Sequence, residues 1–228
     1  MKTLRQKIKG FTLVELLVVI AIIALLVAIV FPAISTALLR GRVTATSVNA
    51  RNIHQAIIGK AVSDIYFAVS SPFPSGSRFS DSTDYFEFLV TGNVLNVAWS
   101  FFAPPGVPTA RDRQEFMSPR GERNGWCIVN DAENLPETAP MIFTRNLGGE
   151  GAGSYTQLNE LSTLDNMLGG QPFLDRGFAF ATRGGAAFAL VGDDLEDVQR
   201  FNGLFVALRA STQATNLGNQ ILRPGGSY

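Results

Sequence analysis

The chain reads as an α+β protein in which a long N-terminal helix packs on a small antiparallel β-sheet head. Three observations predict this. Leu16 to Phe31 is a run of sixteen residues without a polar side chain. Apolar positions then recur at helical spacing as far as Pro72 and Pro74, and short β-prone runs bounded by turn formers follow after Gly125. The expected organisation is a basic leader over 1–10, an apolar helix half over 11–34, an amphipathic helix half over 35–70 and a globular α+β head over 71–228.

The leader carries Lys2, Arg5, Lys7 and Lys9 and no acid. Basic residues beside an apolar segment favour the cytoplasmic side of a membrane, which places the following chain outside. Phe11 to Ala33 is 23 residues, about 35 Å as a helix, against a hydrocarbon core of about 30 Å. A buried helix of a soluble protein would show polar interruptions. A conventional signal peptide cut near Ser35 or Ala37 would have a shorter apolar core, of about 7 to 15 residues.

Glu15 stands at the edge of this segment. A carboxylate facing lipid is costly, so its presence marks a function, and it recovers the cost by meeting a cation. In the first helical turn it also complements the helix dipole.

The run Lys9-Gly10-Phe11-Thr12-Leu13-Val14-Glu15 followed by the apolar span resembles the N-terminal signal of type IV pilins and type II secretion pseudopilins. The resemblance covers about residues 5 to 60. It implies a pilin-like lollipop fold and cleavage after Gly10 by a prepilin peptidase. It also implies N-methylation of the new terminus Phe11, and pairing of Glu15 with the Phe11 amine of a neighbouring subunit. Pro32 matches a helix proline of the family. Proline removes a helical hydrogen bond and crowds the preceding turn, so a kink or loosening is expected there.

Beyond Ile34 the positions Leu38, Leu39, Val43, Val48, Ile53, Ile57, Ala61 and Ile65 continue a helical pattern to about Val69. His54, the one histidine of the chain, is expected on the helix surface or partly covered. Ser80 to Gly92 reads as a short capped helix with Tyr85, Phe86, Leu89 and Val90 as its inward candidates. Ala103 to Pro108 and Gly148 to Ser154 read as loops, and Arg111 to Arg123 as charged and solvated. Trp99, Phe101 and Phe102 are expected in the core or under a neighbouring subunit.

Trp126 to Val129 and Met141 to Thr144 are candidate strands. Phe178 to Ala181 and Ala187 to Val191, joined across Gly184-Gly185, form the clearest hairpin. Phe178, Phe180, Phe188 and Leu190 share one face, which is expected to cover the amphipathic helix. A helix from Leu195 to Leu208, capped by Asp193 or Asp194, would bury Val198, Phe201, Phe205 and Leu208. The tail from Arg223 is expected to be loose.

The chain has 19 basic and 19 acidic residues. Loss of the four leader cations leaves 15 against 19, a formal charge of −4, with no polycationic stripe for nucleic acid. Cys127 is the single cysteine, so no intramolecular disulfide closes the head as in many type IV pilins. It reads as a small buried hydrophobe. Nucleophile elbows, histidine pairs and cysteine–histidine pairs are all missing from the sequence, which speaks against an enzyme. Asp193, Asp194, Glu196 and Asp197 are the one candidate metal site, for calcium. They lack a calcium-loop spacing, and acids at a helix start are ordinary. No cofactor is therefore the expectation, with calcium at these residues as the alternative.

Taken together, the resemblance implies a fibre subunit held in the bacterial inner membrane with a periplasmic head. Its partners would be copies of itself, other pilin-like subunits, prepilin peptidase and an inner-membrane assembly platform. The missing disulfide points to a type II secretion pseudopilin. A surface type IV pilin and a membrane-anchored binding domain that does not polymerise are the alternatives.

Overall fold

The computed structural model describes residues 11–64, 73–132, 135–148, 168–196 and 221–225. It has the expected α+β class: a long N-terminal helix and a small antiparallel sheet. Helix α1 runs over Leu13–Asp64, 52 residues, about 78 Å at the standard rise. The expected continuation to Val69 lies outside the described residues. The chain divides after Leu39 into two units.

In the first unit, α1 is exposed except at the half-buried Ser35 and Leu39. Seventeen large apolar side chains between Phe11 and Ile34 are 47–87% exposed. Full burial of each is worth about 1.5–3 kcal/mol, on the order of 25–50 kcal/mol for the set. That exceeds the roughly 5–15 kcal/mol by which a domain is stable. A helix of this composition therefore requires a cover of lipid or protein.

The second unit begins with the remainder of α1, where burial follows one stripe: Val43, Thr46, Ser47, Ala50, Ile53, His54 and Ile57. Steps of three and four residues keep these on one helix face. The stripe departs from the predicted set, since Leu38 and Val48 are 57% and 50% exposed. Three small residues take their place. Thr46 Oγ1 donates to Arg42 O at 2.9 Å and Ser47 Oγ to Thr44 O at 2.8 Å. Their hydroxyls are thus satisfied within the helix, which lets a polar residue be buried at low cost.

Helix α2 spans Ser82–Thr91. Asp81 caps it, its Oδ1 accepting from Asp84 N–H at 3.0 Å, and Tyr85, Phe86 and Leu89 are buried as predicted. A 3-10 turn over Trp99–Phe102 buries Phe102, with Trp99 and Phe101 partly covered against the core. The segment read as solvated contains helix α3, Arg113–Met117. Asp112 caps it by accepting from Glu115 N–H at 2.8 Å, and Phe116 is fully buried on Trp99 and Phe102. One aromatic anchor in a charged stretch leaves no period to detect.

Among the described residues five antiparallel strands form the sheet: β1 (Trp126–Val129), β2 (Pro140–Thr144), β3 (Gly177–Thr182), β4 (Ala187–Val191) and β5 (Ile221–Leu222). Their order is β4-β3-β2-β1-β5. The predicted hairpin is present, pairing Phe178 with Leu190 and Phe180 with Phe188. The Phe180 and Phe188 rings stack at 5.0 Å. Phe178 and Phe180 join Ala50, Ile53 and Ile57 in one core cluster. At the start of β3, however, the side turned toward α1 is the small-residue side. A Cβ on Gly177 would meet Val43, and Gly177 shares its side of the strand with Ala179 and Ala181, alternating with Phe178 and Phe180. Close approach of a helix favours small residues there over the aromatic face.

The tail also departs from expectation at Arg223. Strand β5 pairs Ile221 with Val129 and Leu222 with Ile128. Arg223 O accepts from Ser82 N–H at 3.0 Å, and its guanidinium donates to Leu147 O and Gly148 O at 2.6 and 2.9 Å. Charge-assisted bonds to two carbonyls hold the segment where composition alone suggests a loose end. Residues 226–228 and most of the Gly148 to Ser154 loop lie outside the described residues.

Candidate functional site

Thr12 and Glu15 build the start of α1 together. Glu15 Oε2 accepts from Thr12 N–H and from Thr12 Oγ1–H, both at 2.8 Å. In return Glu15 N–H donates to Thr12 Oγ1 at 3.2 Å. This is a capping box: residue N-cap and residue N3 satisfy each other's orphan donors. The first helical bond follows, from Leu16 N–H to Thr12 O at 3.3 Å. Thr12 was not among the predicted site residues, although Thr-x-x-Glu before an apolar run is a legible signal.

Glu15 is exposed and Phe11 is 72% exposed, so both are open to an outside partner. Gly10 and the leader lie outside the described residues. Pro32 sits within α1, where it can donate no backbone hydrogen bond. Its own carbonyl accepts two side-chain bonds, from Ser35 Oγ at 2.8 Å and Thr36 Oγ1 at 3.2 Å. Hydroxyl bonds of this kind bend helices. The helix runs continuously past Pro32.

The acidic group falls differently from the prediction. Asp193 and Asp194 lie inside helix α4, described over Asp193–Glu196, rather than before it as caps. The preceding residue is Gly192 at φ +63, so the turn comes one residue earlier than composition suggests. Asp193, Asp194 and Glu196 are exposed and only Leu195 is buried. Asp197 and the continuation through Val198, Phe201, Phe205 and Leu208 lie outside the described residues. Among the described residues no three histidine, cysteine, aspartate or glutamate side chains converge to hold a metal ion.

Two head residues carry distinct electrostatics. Cys127 is fully buried in β1, and burial pushes its thiol up to about 12 against the attraction of Arg223 and Arg145. His54 was expected near the surface but is 6% exposed. Its Nε2 lies 2.7 Å from Arg183 O. A single polar residue on a helical stripe does not announce its burial, because the group that accepts its proton is 129 residues away.

Residues 5–31 match the family described as the prokaryotic N-terminal methylation motif. The match contains the leader's last cations, Gly10, Phe11, the Thr12–Glu15 capping box and most of the exposed apolar helix. No curated protein and no solved structure matches the chain. The chain carries a type IV pilin-like signal of the kind a prepilin peptidase processes, on an apolar helix suited to a membrane.

Proposed function

We propose that this protein is a structural subunit of a pilus-like fibre, specifically a type II secretion pseudopilin. The observation that carries the reading is a single carboxylate at the capped start of an otherwise unbroken, exposed apolar helix. The helix would hold the subunit in the inner membrane with the head in the periplasm, and then transfer into the centre of a fibre. Both environments are apolar, so the exchange costs little solvation free energy.

Glu15 would set the register between subunits. Both Thr12 bonds fall on Oε2, which leaves Oε1 for the methylated amine of a neighbour's Phe11. A carboxylate–ammonium pair buried among apolar helices gains strength from the low dielectric, and breaking it leaves an unpaired charge. The role is architectural rather than catalytic. The single Cys127, with no disulfide partner in the chain, favours a pseudopilin over a disulfide-closed surface pilin.

The intact mass of the chain expressed with its processing and assembly machinery tests this. Loss of residues 1–10 and gain of one methyl group are expected, and Glu15→Leu should keep that mass while losing fibres. Cleavage near Ser35 or Ala37 would instead make it a conventionally exported domain.

A further inference from the structure

We propose that His54 is a proton-gated latch: as a neutral side chain it ties α1 to the β3–β4 turn through Arg183, and protonation releases the turn. The inference stands independently of the fibre reading. A backbone carbonyl only accepts, so the 2.7 Å contact with Arg183 O places the imidazole proton on Nε2. Nδ1 is then a bare nitrogen, buried and without a partner among the described residues.

What lies in front of Nδ1 is Gly185, at φ +87. Even a Cβ added there would stand 3.2 Å from Nδ1 and 3.0 Å from Cε1. A second proton would therefore give a buried N–H with no acceptor among the described residues, in a ring that has become a cation. Such a group loses its hydration without compensation.

The surrounding charges act in the same direction. Arg51 lies on α1 itself. Arg183 lies on the turn, its guanidinium over the Phe73 ring at 5.2 Å. On the segment that supports the turn, Glu137 is exposed and engages through its backbone, its carbonyl accepting from Gly184 N–H at 2.8 Å. Burial first, and then repulsion from Arg183 and Arg51, hold the imidazole below its usual value of 6.5, against the opposing effect of the Arg183 carbonyl.

Release need not unfold the hairpin. Thr182 N–H still donates to Ala186 O at 2.8 Å and Gly185 N–H to Thr182 O at 3.0 Å. The latched form binds fewer protons than the released form. It is therefore fully favoured above pH 6.5 and loses ground as pH falls from 6.5 toward the depressed folded value.

The single histidine makes the test specific. Full-length protein in detergent micelles is titrated by NMR, and amide exchange at Arg183 and Gly184 is followed from pH 7.5 to 5, for wild type and for His54→Gln. The glutamine amide can donate to Arg183 O but cannot take up a proton. A titration midpoint below 6.5 is expected. Wild-type protection, corrected for intrinsic exchange, should fall with pH by up to about tenfold per pH unit, and stay level in His54→Gln. A midpoint at or above 6.5, or the same pH slope in both proteins, overturns the latch. If His54→Gln does not fold, the wild-type exchange decides: protection at Arg183 and Gly184 that stays level from pH 7.5 to 5 overturns the latch, and a fall that tracks the His54 titration supports it.

Discussion

Gly177 and Val43 meet where burial of α1 begins: a Cβ added to Gly177 would lie 2.7 Å from Val43 Cγ2 and 3.3 Å from Phe173 Cβ. Val43 is the first fully buried residue of the helix stripe, and Gly177 opens β3. No φ restriction operates at Gly177, so its role is space for the helix. Gly177→Ala should destabilise the head by about 1–3 kcal/mol through overpacking. Val43→Ala in the same chain should recover part of that loss. In a denaturant double-mutant cycle the pair is expected to couple by about 0.5–3 kcal/mol. Additive losses would show that the strand moves instead of the side chain.

Thr12→Ala removes the hydroxyl bond to Glu15 Oε2 and the acceptor of Glu15 N–H, and leaves the backbone bond from residue 12 N–H to Glu15 Oε2 in place. Loss of a helix N-cap costs about 1 kcal/mol, so amides 13–16 should exchange about fivefold faster in micelles. Thr12→Ser keeps the hydroxyl and should behave as wild type. Equal exchange in all three proteins would mean that the capping box contributes nothing to the helix start.

Cys127 gives a second pH-dependent prediction, of opposite sign to that of His54. Its folded value is raised, so the stabilisation is complete below the ordinary value of 9.0 and declines as pH rises from there toward about 12. At pH 8 the native thiol should be inert to a maleimide and react fully once denatured, as expected of a buried thiol rather than a thiolate. Rapid labelling of native protein would contradict its burial in β1.

Legibility followed the range of the interactions. Hairpin β3–β4 was visible because Phe178, Phe180, Phe188 and Leu190 alternate with small residues across a glycine turn, and pairing across a short turn is local. Helix α2 was visible through its caps and its Tyr85-Phe86-Leu89 spacing. In contrast, α3 rests on Phe116 alone, and β5 is two residues beside Arg223-Pro224-Gly225. Neither is long enough to carry a period. On α1 the apolar pattern located Val43, Ile53 and Ile57 but also took in the exposed Leu38 and Val48 and passed over the buried Thr46, Ser47 and Ala50.

The functional start of the chain is a linear signal. The match over residues 5–31 rests on spacing, charge and hydropathy along the chain, so the residue string carried it without a fold, and it held the Thr12–Glu15 capping box as well. Only the tertiary structure decided which face of α1 enters the head, where Arg223 anchors the tail and that His54 is buried against Arg183. Each of these depends on groups distant in sequence brought to contact distance. Close packing and hydrogen-bond satisfaction, rather than local propensity, choose among the arrangements that the sequence allows.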